Sequence, residues 1–120
     1  MDNATTLDEL KALVKKFNGE RDWDQFHTPK DLAMAIAAEA AEVVEIFVYK
    51  TEEQSESFFK DEKKRTDIED ELADVFWAVL MICEKYDIDL SEALKEKMRK
   101  SALKYPIEKS KGSNKKYTEL

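Results

Sequence analysis

The sequence predicts an all-α, four-helix bundle-like fold. Three observations carry that reading: only two Gly and two Pro in 120 residues, a chain that is 39% charged and 42% hydrophobic, and apolar positions that recur at helical spacing between recognisable caps. The length allows one small domain with a single core. Residues 1–106 are read as that domain and residues 107–120 as a Lys- and Ser-rich C-terminal tail.

Thr6 with Glu9 forms a capping-box pattern that opens a first helix to about Asn18, with Leu7, Leu10, Leu13, Val14 and Phe17 on one face and Gly19 as its stop. The link Glu20-Arg21-Asp22-Trp23-Asp24-Gln25-Phe26-His27 has no helical period, yet it carries large aromatics and is expected to pack back on the domain. Thr28 offers an N-cap and Pro29 suits the first helical position, so a second helix runs to about Tyr49. Thr51 to Asp61 reads as an exposed loop with a helical turn around Ser55 to Phe59. A third long helix, from about Glu62 to Glu84, sets Ile68, Leu72, Val75, Phe76 and Val79 at helical spacing. Asp89 with Glu92 caps a fourth, which must end near Tyr105 because Pro106 follows. The tail, Ile107 to Leu120, has by itself the composition of a disordered segment.

Charge and cysteine content exclude several classes of function. A net charge of −7, from 27 acidic and 20 basic residues, argues against a nucleic-acid polymer as partner, because phosphate backbones are held by clustered cations. The single Cys83 supports neither an internal disulfide nor a Cys-zinc site. No apolar run approaches the roughly 20 residues that cross a bilayer, and the N-terminus has no signal-peptide pattern, so a cytoplasmic protein without a membrane partner is expected. A small polyanion fits the charge if a divalent metal mediates.

Carboxylates in the wrong place point to that metal. Leu32, Ile36, Val43 and Phe47 form one stripe of the second helix, with Glu39 inside it and Glu42 at its edge. An ionised carboxylate in apolar surroundings must be paired, coordinate a metal or take up a proton. The third helix repeats the pattern with Glu71 and Asp74, neighbours on the helix surface beside Leu72, Val75 and Val79. Four oxygen ligands from two helices suit a hard cation, Mg²⁺ or Mn²⁺. In an acidic helical chain such spacings also arise on solvated faces, as at Glu52, Glu53, Glu56, Glu62 and Asp70, and the in-stripe place of Glu39 is what separates the two cases.

Trp23, Phe26 and His27 read either as an aromatic plug at the end of the bundle or as a platform on which a base stacks. Trp77 and Met81 lie opposite the core stripe of their helix, and Val44 and Val48, with Ala33, Ala37, Ala40 and Ala41, form a second apolar strip on theirs. Helices apolar on two sides need two partners, so symmetric self-association through Trp77, Met81, Val44 and Val48 is expected, as a homodimer or homotetramer.

The order Glu39-x-x-Glu42 then Glu71-x-x-Asp74 resembles the metal-binding pattern of the all-α nucleoside triphosphate pyrophosphohydrolases, the MazG and dCTP pyrophosphatase-like group. The words around it are more specific: Glu20 to His27, Glu71-Leu72-Ala73-Asp74-Val75, Lys104-Tyr105-Pro106 and Lys116-Tyr117-Thr118-Glu119-Leu120, which together cover nearly the whole chain. The resemblance implies a MazG fold in a homo-oligomer and Mg²⁺-dependent hydrolysis of a (deoxy)nucleoside triphosphate to monophosphate and pyrophosphate. It implies Glu39, Glu42, Glu71 and Asp74 as metal ligands. Glu42 is the choice for the base that takes the proton of the attacking water. Trp23, Phe26, His27, Tyr49 and Ala78 would meet the base and sugar, and Lys97, Lys104, Tyr105, Lys116 and Tyr117 the remaining phosphate charge.

This chain departs from the family pattern at Ala78, where a Tyr is usual, at Tyr49 in place of Trp, at Asp31 in place of Asn, and at Ser101, where an Asn commonly follows the lysine corresponding to Lys97. A trimmed pocket discriminates less, so several deoxynucleoside triphosphates, cytosine-containing ones included, are the expected substrates. A non-catalytic helical module for nucleotide binding or self-association is the alternative.

Overall fold

The computed structural model describes residues 1–120, all helix, turn and loop without a strand. The N-terminal helix α1 (Leu7–Glu20) starts at the expected capping box: the Thr6 side chain accepts from the Glu9 backbone N–H, and the Glu9 carboxylate accepts from the Thr6 N–H at 2.6 Å. Gly19 does not stop it. The helix continues to Glu20 and the chain turns at Asp22, whose φ of 52° is left-handed. A glycine weakens a helix without forcing its end, whereas a left-handed residue does break the ladder.

After a 3₁₀ turn at Asp24–Phe26, α2 (Pro29–Phe47) begins at Thr28, which accepts from the Asp31 N–H. It ends short of Tyr49, whose φ of 60° ends the helical path. The expected loop after Thr51 is helical from its first residue: Thr51 and Gln54 form a second capping box and open α3 (Glu52–Ser57), followed by a 3₁₀ turn at Phe58–Lys60. Next come α4 (Glu62–Lys85), α5 (Leu90–Lys104) and α6 (Ile107–Ser110), with a last 3₁₀ turn at Tyr117–Glu119. The tail therefore has helical structure where its composition alone predicted none. No helix is long and apolar enough to cross a membrane.

Packing divides the chain into two compact units, Met1–Asp87 and Ile88–Leu120. In the first, α1 and α2 both lie against α4, and the core comprises Val14, Leu32, Ile68, Ala78, Leu80 and Cys83. Because α4 is covered from two sides, its buried arc is not the single stripe expected: Leu72 and Phe76 are largely exposed, while Ala78, Leu80 and Cys83 are enclosed. Trp77 is not on an outer face either. Its ring stands edge-on to Phe17 of α1 at 5.0 Å, and both Trp77 and Met81 are half-buried, whereas Val44 and Val48 are exposed.

In the second unit no residue of α5 is buried; Leu94 is 58% and Met98 64% exposed, one turn apart. Tyr117 comes back onto the end of α5, edge-on to Tyr105 at 5.9 Å, with the Lys104 ammonium 4.9 Å from its ring.

Candidate functional site

The adjacency of α2 and α4 sets two carboxylate pairs against each other. Glu39 and Glu42 sit one turn apart on α2, Glu71 and Asp74 one turn apart on α4, since residues three apart share a helix face. Carboxylate oxygens of Glu39, Glu42 and Glu71 all lie within 4.8 Å of one another. Asp74 stands outside that cluster of three, yet its charge is felt by both Glu39 and Glu71.

Crowding of like charges shows in the proton affinities. Burial, then the charges of Glu42 and Asp74, hold the Glu39 carboxyl above the ordinary carboxylate range. Glu71 is also raised, first by a hydrogen bond shared with Glu42, then by burial and by the charges of Glu42, Asp74 and Glu39. One of its oxygens, Oε2, is buried without any hydrogen-bond partner. Buried carboxylate oxygens are normally satisfied. An all-oxygen donor set with an orphaned oxygen fits a hard divalent cation, and Glu39, Glu42 and Glu71, with Asp74 beside them, are the residues that would hold it.

Next to the carboxylates lies a pocket of about 220 Å³. Glu39 and Asp74 line it, together with Asn18, Trp23, His27, Trp77 and Ala78. The link between α1 and α2 is held in place as one of its walls. Trp23 is edge-on to Phe17 at 5.7 Å, the Arg21 guanidinium lies 3.6 Å from the Phe17 ring centre and donates to the Phe17 carbonyl, and Gln25 donates to Asp22. From the last turn of α4, the Lys85 ammonium donates to the carbonyls of Asp24, at 2.9 Å, and His27. The link packs back as expected, but through a lysine that sequence spacing does not reveal.

Of the expected contact residues, the structure brings Trp23, His27 and Ala78 to this pocket. Phe26 is largely exposed and Tyr49 is 99% exposed, and neither lines it. Asp31 is engaged in the α2 cap, where its carboxylate accepts from the Thr28 hydroxyl at 2.9 Å. Lys97, Lys104, Tyr105, Lys116 and Tyr117 belong to the second unit. There Lys104, Tyr105 and Tyr117 cluster, and the Lys116 backbone N–H donates to Glu119. Asn18, which the sequence marks only as the end of a helix, lines the pocket and is among the most buried side chains of the chain.

The chain is similar to proteins of known kind. The chain is 34% identical to mouse dCTP pyrophosphatase 1 over 115 residues, 96% of this chain and 68% of that protein, and 33% identical to the human dCTP pyrophosphatase 1 over the same spans. A crystal structure of a pyrophosphatase from Archaeoglobus fulgidus superposes with a TM-score of 0.74 at 38% identity, covering 82% of this chain and 91% of that one. The MazG-like family profile matches residues 34–120, which hold all four carboxylates. By that match, by its relatives and by its fold, the chain belongs to the MazG-like family.

Proposed function

We propose that this chain is a nucleoside triphosphate pyrophosphohydrolase that cleaves (deoxy)nucleoside triphosphates, dCTP among them, to monophosphate and pyrophosphate with Mg²⁺. The observation that carries the reading is the meeting of three carboxylates, one with an orphaned buried oxygen and another, Glu39, lining an aromatic pocket. The relatives named dCTP pyrophosphatase support the substrate class.

Glu39, Glu42, Glu71 and Asp74 would hold the Mg²⁺, which would supply charge neutralisation for the phosphate oxygens and lower the pKa of a water. The chain's own groups do the rest. Trp23 and His27 form a wall against which the base and sugar lie, and the clamp from Lys85 keeps that wall in place. Glu42 is the most exposed carboxylate of the cluster, and it is assigned the role of accepting the proton of the attacking water. Lys97, Lys104, Tyr105, Lys116 and Tyr117 are assigned to the phosphates, with residues 107–120 acting as a tail on a working domain of residues 1–106. Phe26 and Tyr49, exposed and outside this pocket, are assigned to the base and sugar as well. Self-association, as a homodimer or homotetramer in the cytoplasm, is favoured by the uncovered Leu94 and Met98.

Pyrophosphate release from a panel of nucleoside triphosphates tests the assignment. Turnover with Mg²⁺ that stops on chelation is expected; nucleotide binding without release in either condition means a non-catalytic module.

A further inference from the structure

Asn18 is 2% exposed, and its side-chain oxygen Oδ1 has no hydrogen-bond partner. Buried amide oxygens are nearly always satisfied, so one that is not calls for a partner from outside the chain. Its position is fixed from the backbone side: the Asn18 carbonyl accepts from the Arg21 N–H at 3.2 Å and the Trp23 N–H at 3.0 Å, tying it to the link that walls the pocket. The same pocket wall includes Trp77, whose Nε1–H is also buried without an acceptor. Two residues that carry an orphan acceptor and an orphan donor thus line a pocket whose other boundary, Glu39 and Asp74, would face the metal and the triphosphate.

Resting on the pyrophosphohydrolase reading, we propose that Asn18 determines base selectivity by accepting a hydrogen bond from an exocyclic amine, so that amino bases (cytosine, adenine) are preferred to keto bases (uracil, thymine). In cytosine and adenine the amine lies beside a ring nitrogen that accepts, so a single edge answers both Asn18 Oδ1 and Trp77 Nε1. A keto base sets its carbonyl against Oδ1, oxygen against oxygen, and leaves the buried acceptor unpaired. Ala78 adds no polar group, and the selectivity is for amine over carbonyl rather than for one base.

dCMP and dUMP differ only along this edge, in the exocyclic group and in whether the adjoining ring nitrogen accepts or donates, and their binding is followed by the fluorescence of Trp23 and Trp77, alongside kcat/KM for dCTP and dUTP with Mg²⁺. The wild type is expected to favour cytosine at least about tenfold in both measurements, since a buried polar group left unpaired penalises the wrong ligand. Asn18→Asp, which keeps acceptors and has no amide donor, should retain the preference; Asn18→Leu should lower the ratio several-fold, since cytosine loses an acceptor and uracil is freed of its opposing oxygen. Equal handling of the two bases by the wild type, an unchanged ratio in Asn18→Leu, or a ratio lost in Asn18→Asp each overturns the proposal. Should Asn18→Leu fail to fold, wild-type binding of the deoxynucleotide of 2-pyrimidinone, which lacks the amine, decides: affinity equal to that of dCMP overturns it. Selective dCMP binding without any pyrophosphate release removes the hydrolase reading and leaves the role of Asn18 standing.

Discussion

Helices α4 and α5 start alike and end in opposite surroundings. Asp61 accepts from the Lys64 N–H at 2.8 Å and Asp89 from the Glu92 N–H at 2.9 Å, yet α4 encloses Ile68, Ala78, Leu80 and Cys83 while α5 encloses nothing. Their carboxylates differ in the same sense. Glu71 on α4 is crowded by other acids and held above its ordinary range, whereas Glu96 on α5 is held below it by hydrogen bonds from Arg99 and then Lys100. An acid on α5 lies in water beside its own cation one turn away, at 2.8 Å, which stabilises an exposed helix only slightly. Glu71 on α4 is instead set against Glu39 and Glu42 by the packing of α2. The difference teaches that capping decides where a helix begins, and the neighbours decide whether its charges are idle or concentrated.

Neutralising single carboxylates should separate the two helices most sharply. Glu39→Gln, Glu42→Gln, Glu71→Gln and Asp74→Asn are each expected to cut pyrophosphate release by at least about a hundredfold with the far-UV circular dichroism unchanged, because loss of one ligand weakens the ion and misplaces it. Glu96→Gln on α5 should stay within about twofold of wild type. Retained activity in two of the four α2 and α4 variants defeats the metal-centre assignment.

Mass in solution probes the other side of the contrast. If the bare face of α5 is covered by a second copy, the wild type scatters light as a multiple of 14.0 kDa, and the double change Leu94→Glu with Met98→Glu returns it to that value. A wild type already monomeric at micromolar concentration breaks the argument.

The smallest effect concerns stability without metal. Glu39 and Glu71 have raised folded-state pKa values, so the folded form binds more protons than the unfolded one in that range. Their contribution is complete below the ordinary carboxylate range and is lost as pH rises through the raised values. The metal-free unfolding midpoint should therefore climb as pH falls from neutral toward the carboxylate range, and Glu71→Gln should flatten that slope. Glu96, with its lowered value, works the other way: its stabilisation holds above the ordinary range and is lost at more acid pH. A slope that is the same in Glu71→Gln shows that the crowding does not act through this side chain.

Much of the fold was readable because its signals are local. Thr6 with Glu9, Thr28 before Pro29, and Asp89 three residues ahead of Glu92 each name a helix start within one turn. Thr51 with Gln54 carries the same pattern, but the polarity of the segment leaves only a helical turn around Ser55 to Phe59 legible, short of the helix that begins at Glu52. The acidic pairs were legible for a similar reason, their spacing being a property of one helix. Trp77 was misplaced because a helical wheel shows two apolar sides without saying which neighbour covers which. Asn18 and Lys85 were invisible: each acquires its role from chain that folds back from elsewhere, in the case of Lys85 from carbonyls 61 and 58 positions away.

That separation also orders events in time. The contacts from Lys85 to Asp24 and His27 close a loop of most of the first unit, and contacts between distant positions form late because closing a long loop sacrifices more chain entropy than closing a short one. On a chain emerging from the ribosome, α1, the Trp23 link and α2 are all synthesised before the residue that clamps them exists. The wall of the pocket can therefore set only after the last turn of α4 has been delivered, and a nascent chain has no finished pocket to offer a nucleotide until nearly all of this unit is out.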